Sequence, residues 1–215
     1  MKVNEYFVSI QGEGPESGRR ALFIRFSGCN LNCGWCDSKY ALYTWIETPV
    51  REILDLVVRS KCQYIVLTGG EPTIQTDLHI LLDYLSHESI QVDVETNGTH
   101  LPDKWRPGVR YIVSPKDLTT AQDWINYYDN NLNQETNWVF KFVVDIDHMD
   151  DIFTFVRNMC PNPVWFMPLT TNIKGKPDCM IDEMVTTGRI VQSEMIKRGI
   201  DGYLCTRLQN LYRVR

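Results

Sequence analysis

Cys29-Asn30-Leu31-Asn32-Cys33-Gly34-Trp35-Cys36-Asp37 sets three cysteines on one short stretch, three residues separating the first pair and two the second. It follows an apolar run, Ala21-Leu22-Phe23-Ile24-Arg25-Phe26, that reads as a buried strand. Polar residues and Gly34 make the stretch a loop, and spacings this tight disfavour a disulfide within it. A structural zinc takes four protein ligands, and so does an electron-carrying iron–sulfur cluster. The three thiolates of Cys29, Cys33 and Cys36 therefore suggest a [4Fe–4S] cluster with one iron left open to bind something else.

The 215 residues, 43% of them hydrophobic, can bury one sizeable core. No Pro/Gly/Ser-rich linker, internal repeat or low-complexity run divides them, so 1–215 is read as a single domain. A net charge of −5 argues against a nucleic-acid-binding face, which needs clustered Lys and Arg, and favours a small-molecule partner. The opening Met1-Lys2-Val3-Asn4-Glu5 has no apolar signal core, and no run reaches the roughly 18 apolar residues of a membrane span. The expectation is a soluble, cytoplasmic protein with no membrane partner. Seven cysteines with three in a ligand loop fit a reducing compartment, and the scattered Cys62, Cys160, Cys179 and Cys205 read as ordinary semi-buried thiols.

Strand and helix signals alternate along the chain, and polar motifs stand at the strand ends. Tyr6-Phe7-Val8-Ser9-Ile10 runs into the glycine-rich turn Gln11-Gly12-Glu13-Gly14-Pro15, with no GK[ST] to make it a nucleotide P-loop. Thr48 as N-cap and Pro49 at the first helical position open a helix with Ile53, Leu54, Val57 and Val58 on one face. Tyr64-Ile65-Val66-Leu67 ends at Thr68-Gly69-Gly70-Glu71-Pro72, where two glycines let backbone approach a ligand closely. A helix capped by Asp77 follows, its His79 and the later His87 facing solvent. Gln91-Val92-Asp93-Val94 leads into Glu95-Thr96-Asn97-Gly98-Thr99, and Val109-Arg110-Tyr111-Ile112-Val113 into Ser114-Pro115-Lys116. The segment 117–137 gets no firm reading beyond an aromatic-rich surface helix. Trp138-Val139-Phe140-Lys141-Phe142-Val143-Val144 is a strand, Asp147 caps a helix, Val164-Trp165-Phe166-Met167 is a strand, and a long helix spans about 181–198. Asp201-Gly202-Tyr203-Leu204-Cys205 closes the alternation, before Thr206-Arg207-Leu208-Gln209. Repeated strand–helix units mean a parallel sheet with right-handed crossovers. A full (β/α)8 barrel typically needs about 250 residues, so the fold class is α/β, an incomplete TIM-like barrel with its site at the strand C-termini and one side open.

The cysteine spacing, with Trp35 before the last cysteine, resembles the cluster loop of the radical S-adenosylmethionine (SAM) enzymes, whose fourth iron is chelated by SAM. Ser9-Ile10-Gln11-Gly12-Glu13-Gly14 upstream and Cys36-Asp37-Ser38-Lys39-Tyr40 downstream sharpen this to the 7-carboxy-7-deazaguanine synthase family of the queuosine pathway, over about 9–209. The resemblance implies that Gly69, Gly70, Glu71, Asn97, Ser114 and Lys116 contact SAM. It implies a substrate pocket lined by Ile10, Gln11, Gly12, Glu13, Arg25, Glu95, Thr96 and Gln209. The implied chemistry is reductive cleavage of SAM to a 5′-deoxyadenosyl radical, hydrogen abstraction from C6 of 6-carboxy-5,6,7,8-tetrahydropterin, and ring contraction to 7-carboxy-7-deazaguanine with loss of ammonia. The substrate carboxylate needs a cation, for which Arg25 offers a bidentate fork, unless Arg25 is an ordinary surface ion-pair partner. Gln11, Glu13, Glu95, Asn97 and Gln209 have the donors and acceptors that a pterin edge needs.

The family also implies Mg2+. Asp37-Ser38 stands where its members commonly carry Asp-Thr, so Ser38 is the expected magnesium ligand, the other reading being a loop cap. Further implied partners are an electron donor such as flavodoxin and a second copy in a homodimer, for which the aromatics of 124–128 are a candidate interface. Two rivals stand beside this reading. A radical SAM activase of a glycyl radical enzyme shares the cysteine loop, though Gln11-Gly12-Glu13-Gly14 argues against it, and a non-catalytic zinc or iron–sulfur module would need a fourth ligand that no nearby Cys or His provides.

Overall fold

The structure, a computed structural model, describes residues 1–130, 137–161, 163–170 and 177–212, without the side chains of 177–179. An antiparallel hairpin comes first, β1 (Lys2–Ile10) and β2 (Arg20–Phe26), and the two-residue β3 (Ile46–Glu47) pairs with the start of β1. The chain continues as α1 (Val50–Ser60), β4 (Tyr64–Gly69), α2 (Leu78–Ser86), β5 (Gln91–Thr96), β6 (Val109–Val113), α3 (Leu118–Asp129) and β7 (Trp138–Val144). It ends with α4 (Met149–Met159), β8 (Val164–Pro168), α5 (Pro177–Arg198), β9 (Tyr203–Leu204) and the single turn α6 (Leu208–Leu211). One open sheet runs β3-β1-β2-β4-β5-β6-β7-β8-β9, parallel from β2 onward. Among the described residues seven strands are therefore parallel, fewer than a full barrel, and the hairpin partner β1 extends the sheet on one side.

Alternation sorts the strand residues by chemistry. Ile65 and Leu67 of β4, Val92 and Val94 of β5, and Phe140 and Phe142 of β7 join the helix-side core with Leu81, Leu82 and Phe153. Their neighbours Val66, Glu95, Lys141 and Val143 turn the other way and line a cavity inside the curl of the sheet. Side chains two apart in a strand share a face, so a charged residue in an apolar strand can sit wholly on the inner side.

Four local expectations change. Thr48 does not cap α1: Pro49 holds the N-cap position and the Thr48 hydroxyl donates to the Ile46 carbonyl, 3.1 Å away. His148, not Asp147, is the N-cap residue of α4, and Asp145 accepts the His148 backbone N–H at 2.7 Å. The β5-to-β6 crossover carries no helix. Its place is filled by Trp105, packed edge-on against Tyr111 and Trp124, and by buried Arg106, bound to Asp83 and Asp103. Asp117 caps α3 by accepting the Thr120 N–H, and α3 is a core helix rather than a surface one. Trp124 is 0% exposed and its Nε1–H donates to the Gly98 carbonyl at 2.7 Å, which removes it from any interface. Residues 131–136 of that stretch and the Cys179 side chain lie outside the described residues. No helix among the described residues is long and apolar enough to cross a membrane.

Replacing Trp124 by Ala empties a core position that several aromatic rings share. The expected cost is about 3–5 kcal/mol, read from the denaturant midpoint. An interface residue would instead reveal itself by concentration-dependent dissociation at unchanged protomer stability.

Candidate active site

The cysteine loop is anchored where β2 ends. The Gly70 N–H donates to the Phe26 carbonyl at 3.0 Å and the Glu71 N–H to the Gly28 carbonyl at 2.8 Å, tying the end of β4 to the root of the loop. A Cβ on Gly69, whose φ is +137°, would lie 2.1 Å from the Phe26 carbonyl oxygen, and one on Gly70 would lie 1.8 Å from that of Gly28. Only glycine fits such an approach.

Glu71 itself is 0% exposed and turned away from the cavity. Its Oε1 accepts from the Thr73 N–H, the Thr73 hydroxyl and the Thr96 hydroxyl, and its Oε2 from the Asn97 N–H at 2.7 Å. Of the residues expected to touch cofactor or substrate, Glu71 alone stands behind the wall. It joins the loop after β4 to the loop after β5, and a carboxylate with this many donors is held as a brace.

Every other expected site residue lines one cavity of about 270 Å3: Cys29, Cys33, Cys36 and Ser38, the turn 10–13, Arg25, Gly69 and Gly70, Glu95 through Asn97, Ser114, Lys116 and Gln209. The Cys29 sulfur accepts from the Leu31 N–H at 3.4 Å and from Asn97 Nδ2 at 3.9 Å, donors of the kind that orient a metal-bound thiolate. Burial raises the Cys29 thiol and the neighbouring Glu71, Cys33 and Cys36 raise it further. Among the described residues no three His, Cys, Asp or Glu side chains converge as a single-ion cage requires. The thiols of Cys29, Cys33 and Cys36 all line the same cavity, a ligand set of the kind that iron–sulfur clusters take.

Cations ring the cavity, each partly engaged. Arg25 Nε donates to Glu5 Oε1 at 2.9 Å, Lys116 Nζ donates to Ser114 Oγ at 2.9 Å, and Lys116 lies 5.0 Å from the centre of the Trp35 ring. Burial lowers the Lys116 pKa, against the pull of Cys33. The Ser38 hydroxyl makes no cap bond to the following 3-10 turn and donates to Asp37 Oδ1 at 2.8 Å.

Two residues given no role from sequence complete the inner end. Lys141, read only as part of an apolar strand, donates to Glu13 Oε2 at 2.8 Å and to Glu95 Oε2 at 2.6 Å. Its signal was available: one cation on the alternate face of Trp138-Val139-Phe140-Lys141-Phe142-Val143-Val144. Arg207 reaches Thr170 Oγ1 at 2.7 Å, Glu13 Oε1 at 3.4 Å and Asp37 Oδ2 at 3.5 Å. Burial alone would raise Glu13, but Lys141 and Arg207, with hydrogen bonds from Lys141 and Gln209, hold its carboxyl down at about 2. Glu95 goes the other way: burial raises it, Lys141 only partly offsets this, and the Glu13 charge adds to the rise.

The chain matches the model of the Radical SAM superfamily over residues 23–115. It is 35% identical over 189 residues to the 7-carboxy-7-deazaguanine synthase of Hyperthermus butylicus, covering 79% of this chain and 77% of that one. It is 43% identical over 192 residues to that of Rhodopirellula baltica, covering 78% and 73%. The solved structure of QueE from Escherichia coli superposes with a TM-score of 0.68 at 23% identity over 95% of this chain and 92% of that one, a likeness of fold.

Glu71→Ala leaves the Asn97 N–H and the Thr96 hydroxyl without their buried acceptor. It should lower stability by roughly 2–4 kcal/mol in denaturant and reduce the iron bound on reconstitution. A midpoint equal to that of the unmodified chain would show that Glu71 is no brace.

Proposed function

We propose the activity of this chain from one premise: it belongs to the 7-carboxy-7-deazaguanine synthase family. It converts 6-carboxy-5,6,7,8-tetrahydropterin to 7-carboxy-7-deazaguanine with loss of ammonia, a step of 7-deazapurine and queuosine biosynthesis. The observation that carries this is the convergence of the cysteine loop, the turn 10–13, Arg25, Glu95 and Gln209 on one cavity. An activase of a glycyl radical enzyme is not favoured, since the matched relatives carry the synthase name and the cavity presents side chains suited to a small polar ring.

Membership of the radical SAM superfamily implies a [4Fe–4S] cluster and SAM, which when bound supply one electron and a carbon radical able to remove a hydrogen atom. Cys29, Cys33 and Cys36 hold the cluster, and Gly69, Gly70, Asn97, Ser114 and Lys116 receive SAM at the rim. Arg25, oriented by Glu5 through Nε, takes the substrate carboxylate. Gln11, Glu13, Glu95 and Gln209 take the pterin edge, with Ile10, Gly12 and Thr96 shaping the wall. Ser38 is the protein ligand to Mg2+, an ion that keeps several waters and needs few protein ligands. The reductant is a protein such as flavodoxin and the working form is a homodimer of a single-domain chain. The free thiols of Cys62, Cys160 and Cys205 fit the reducing cytoplasm as the compartment.

The test is anaerobic turnover of the tetrahydropterin by the reconstituted chain with SAM, dithionite and Mg2+, read by mass spectrometry. The expected mass is that of 7-carboxy-7-deazaguanine, and its absence at full cluster loading would sink the proposal. Cys33→Ala should keep the fold and abolish SAM cleavage, since two thiolates do not hold a site-differentiated cluster.

Ser38→Ala should shift the Mg2+ dependence of turnover, lowering kcat/KM at fixed Mg2+ by about 10- to 100-fold. Ser38→Thr, with its stiffer rotamer, should restore or improve it. Identical Mg2+ curves for the unmodified chain and Ser38→Ala would exclude Ser38 as a ligand.

A further inference from the structure

Lys141 is an ammonium inside the sheet curl, 5% exposed, on a strand whose Trp138, Phe140 and Phe142 all face the helix-side core. Its Nζ joins two carboxylates that approach from different parts of the chain, Glu13 after β1 and Glu95 near the end of β5. It takes one oxygen from each. The second oxygen of Glu13 accepts from Gln209 Nε2 at 2.9 Å, and that of Glu95 accepts from Gln11 Nε2 at 3.3 Å, a long contact. Both carboxylates line the cavity.

A buried cluster of one ammonium and two carboxylates is a poor device for stability alone, because the desolvation of three charges offsets much of their attraction. What the arrangement does supply is geometry. Two acidic groups that would repel are drawn to one cation and turned toward the same space, as paired acceptors. We propose that Lys141 is a positioning residue for substrate recognition, clamping Glu13 and Glu95 as neighbouring hydrogen-bond acceptors for the adjacent N–H groups of an aminopyrimidinone ring. This rests on the function proposed above and adds the residue that sets its ring specificity. Without the ammonium the carboxylates separate or share a proton, and a protonated carboxyl offers a donor where the ring needs an acceptor.

The experiment uses the reconstituted holoenzyme and two probes, 7-carboxy-7-deazaguanine and its analogue lacking the 2-amino group, with Kd measured by calorimetry and steady-state kinetics on the pterin alongside. The unmodified chain should prefer the aminated ring by about 10-fold or more, as sites built to hydrogen-bond a ligand N–H do. In Lys141→Met that preference should collapse, with the loss in KM rather than in kcat alone. Should Lys141→Met fail to fold, Lys141→Gln, which keeps a polar donor of similar length but no charge and leaves both carboxylates in place, is expected to fold with the preference still lost. A folded variant of either kind that keeps the preference and KM of the unmodified chain overturns the inference while the proposed function stands. An unmodified chain that neither turns over the pterin nor binds either probe overturns both.

Discussion

Two backbone hydrogen bonds, Gly70 N–H to the Phe26 carbonyl and Glu71 N–H to the Gly28 carbonyl, hold the end of β4 against the root of the cysteine loop. They require backbones close enough that neither Gly69 nor Gly70 has room for a Cβ. From this contact the rest of the mouth is built outward. The Glu71 side chain, sealed behind it, accepts the Thr96 hydroxyl and the Asn97 N–H and so fixes the loop after β5. Asn97 in turn donates to Asn30 and to the Cys29 sulfur. A glycine pair, a buried carboxylate and an amide thus form one hydrogen-bonded path from the sheet to the Cys29 sulfur.

The sheet has two faces with opposed requirements. Outward residues pack helices and are apolar, as a parallel sheet under helices demands. Inward residues of a full barrel also pack, in layers of branched side chains, because the interior is a core. Here the barrel is incomplete and the inner face carries ions: Glu16, Arg110 and Asp93 at the end where the strands begin, then Glu95, Lys141 and Glu13, with Arg207 beyond. Tyr64, its hydroxyl bound to Asp93 at 2.7 Å, belongs to the same inner ladder. An open curl admits polar ligands, and its own charges must pair internally to remain charged at such burial.

Much of this was legible in the sequence, for reasons that separate from the reasons the rest was not. The cysteine spacing and Gly69-Gly70 are constrained by ligand chemistry and by backbone approach, both local in the chain. Lys141 and its partners are 128 and 46 residues apart, and nothing local pairs them. Glu71 carries the right residue type for a ligand contact, yet its donors, Thr73, Thr96 and Asn97, can be counted only once two loops are side by side. The aromatics of α3 read as a surface because their spacing is ambiguous, and burial is decided by a crossover without a helix, whose Trp105 covers Trp124. The caps of α1 and α4 missed by one residue, an error of boundary rather than of element.

The segment 207–209 shows how an incomplete barrel closes its open side. The Leu208 N–H donates to the Gly12 carbonyl at 3.1 Å, and a Cβ on Gly12 would collide with the Gln209 side chain, so the turn after β1 and this segment are fitted to each other. Gln209 holds Glu13, while Arg207 lies between Glu13 and Asp37, the residue next to the last cysteine. The turn after β1, which lines the cavity, and the loop that carries the thiols therefore share one guanidinium. Arg207 Nε is buried without a well-directed hydrogen-bond acceptor, and its two ion pairs are longer than a charge-assisted hydrogen bond. Its Nη1, by contrast, donates to Thr170 Oγ1 at 2.7 Å, so the guanidinium is anchored at one nitrogen and faces its two carboxylates at longer range with the others. The open side is thus held by Arg207 on Thr170, and by Gln209 on Glu13 and the Leu208 N–H on the Gly12 carbonyl, contacts between the turn after β1 and the segment after β9 that stand in for the missing strand pairing.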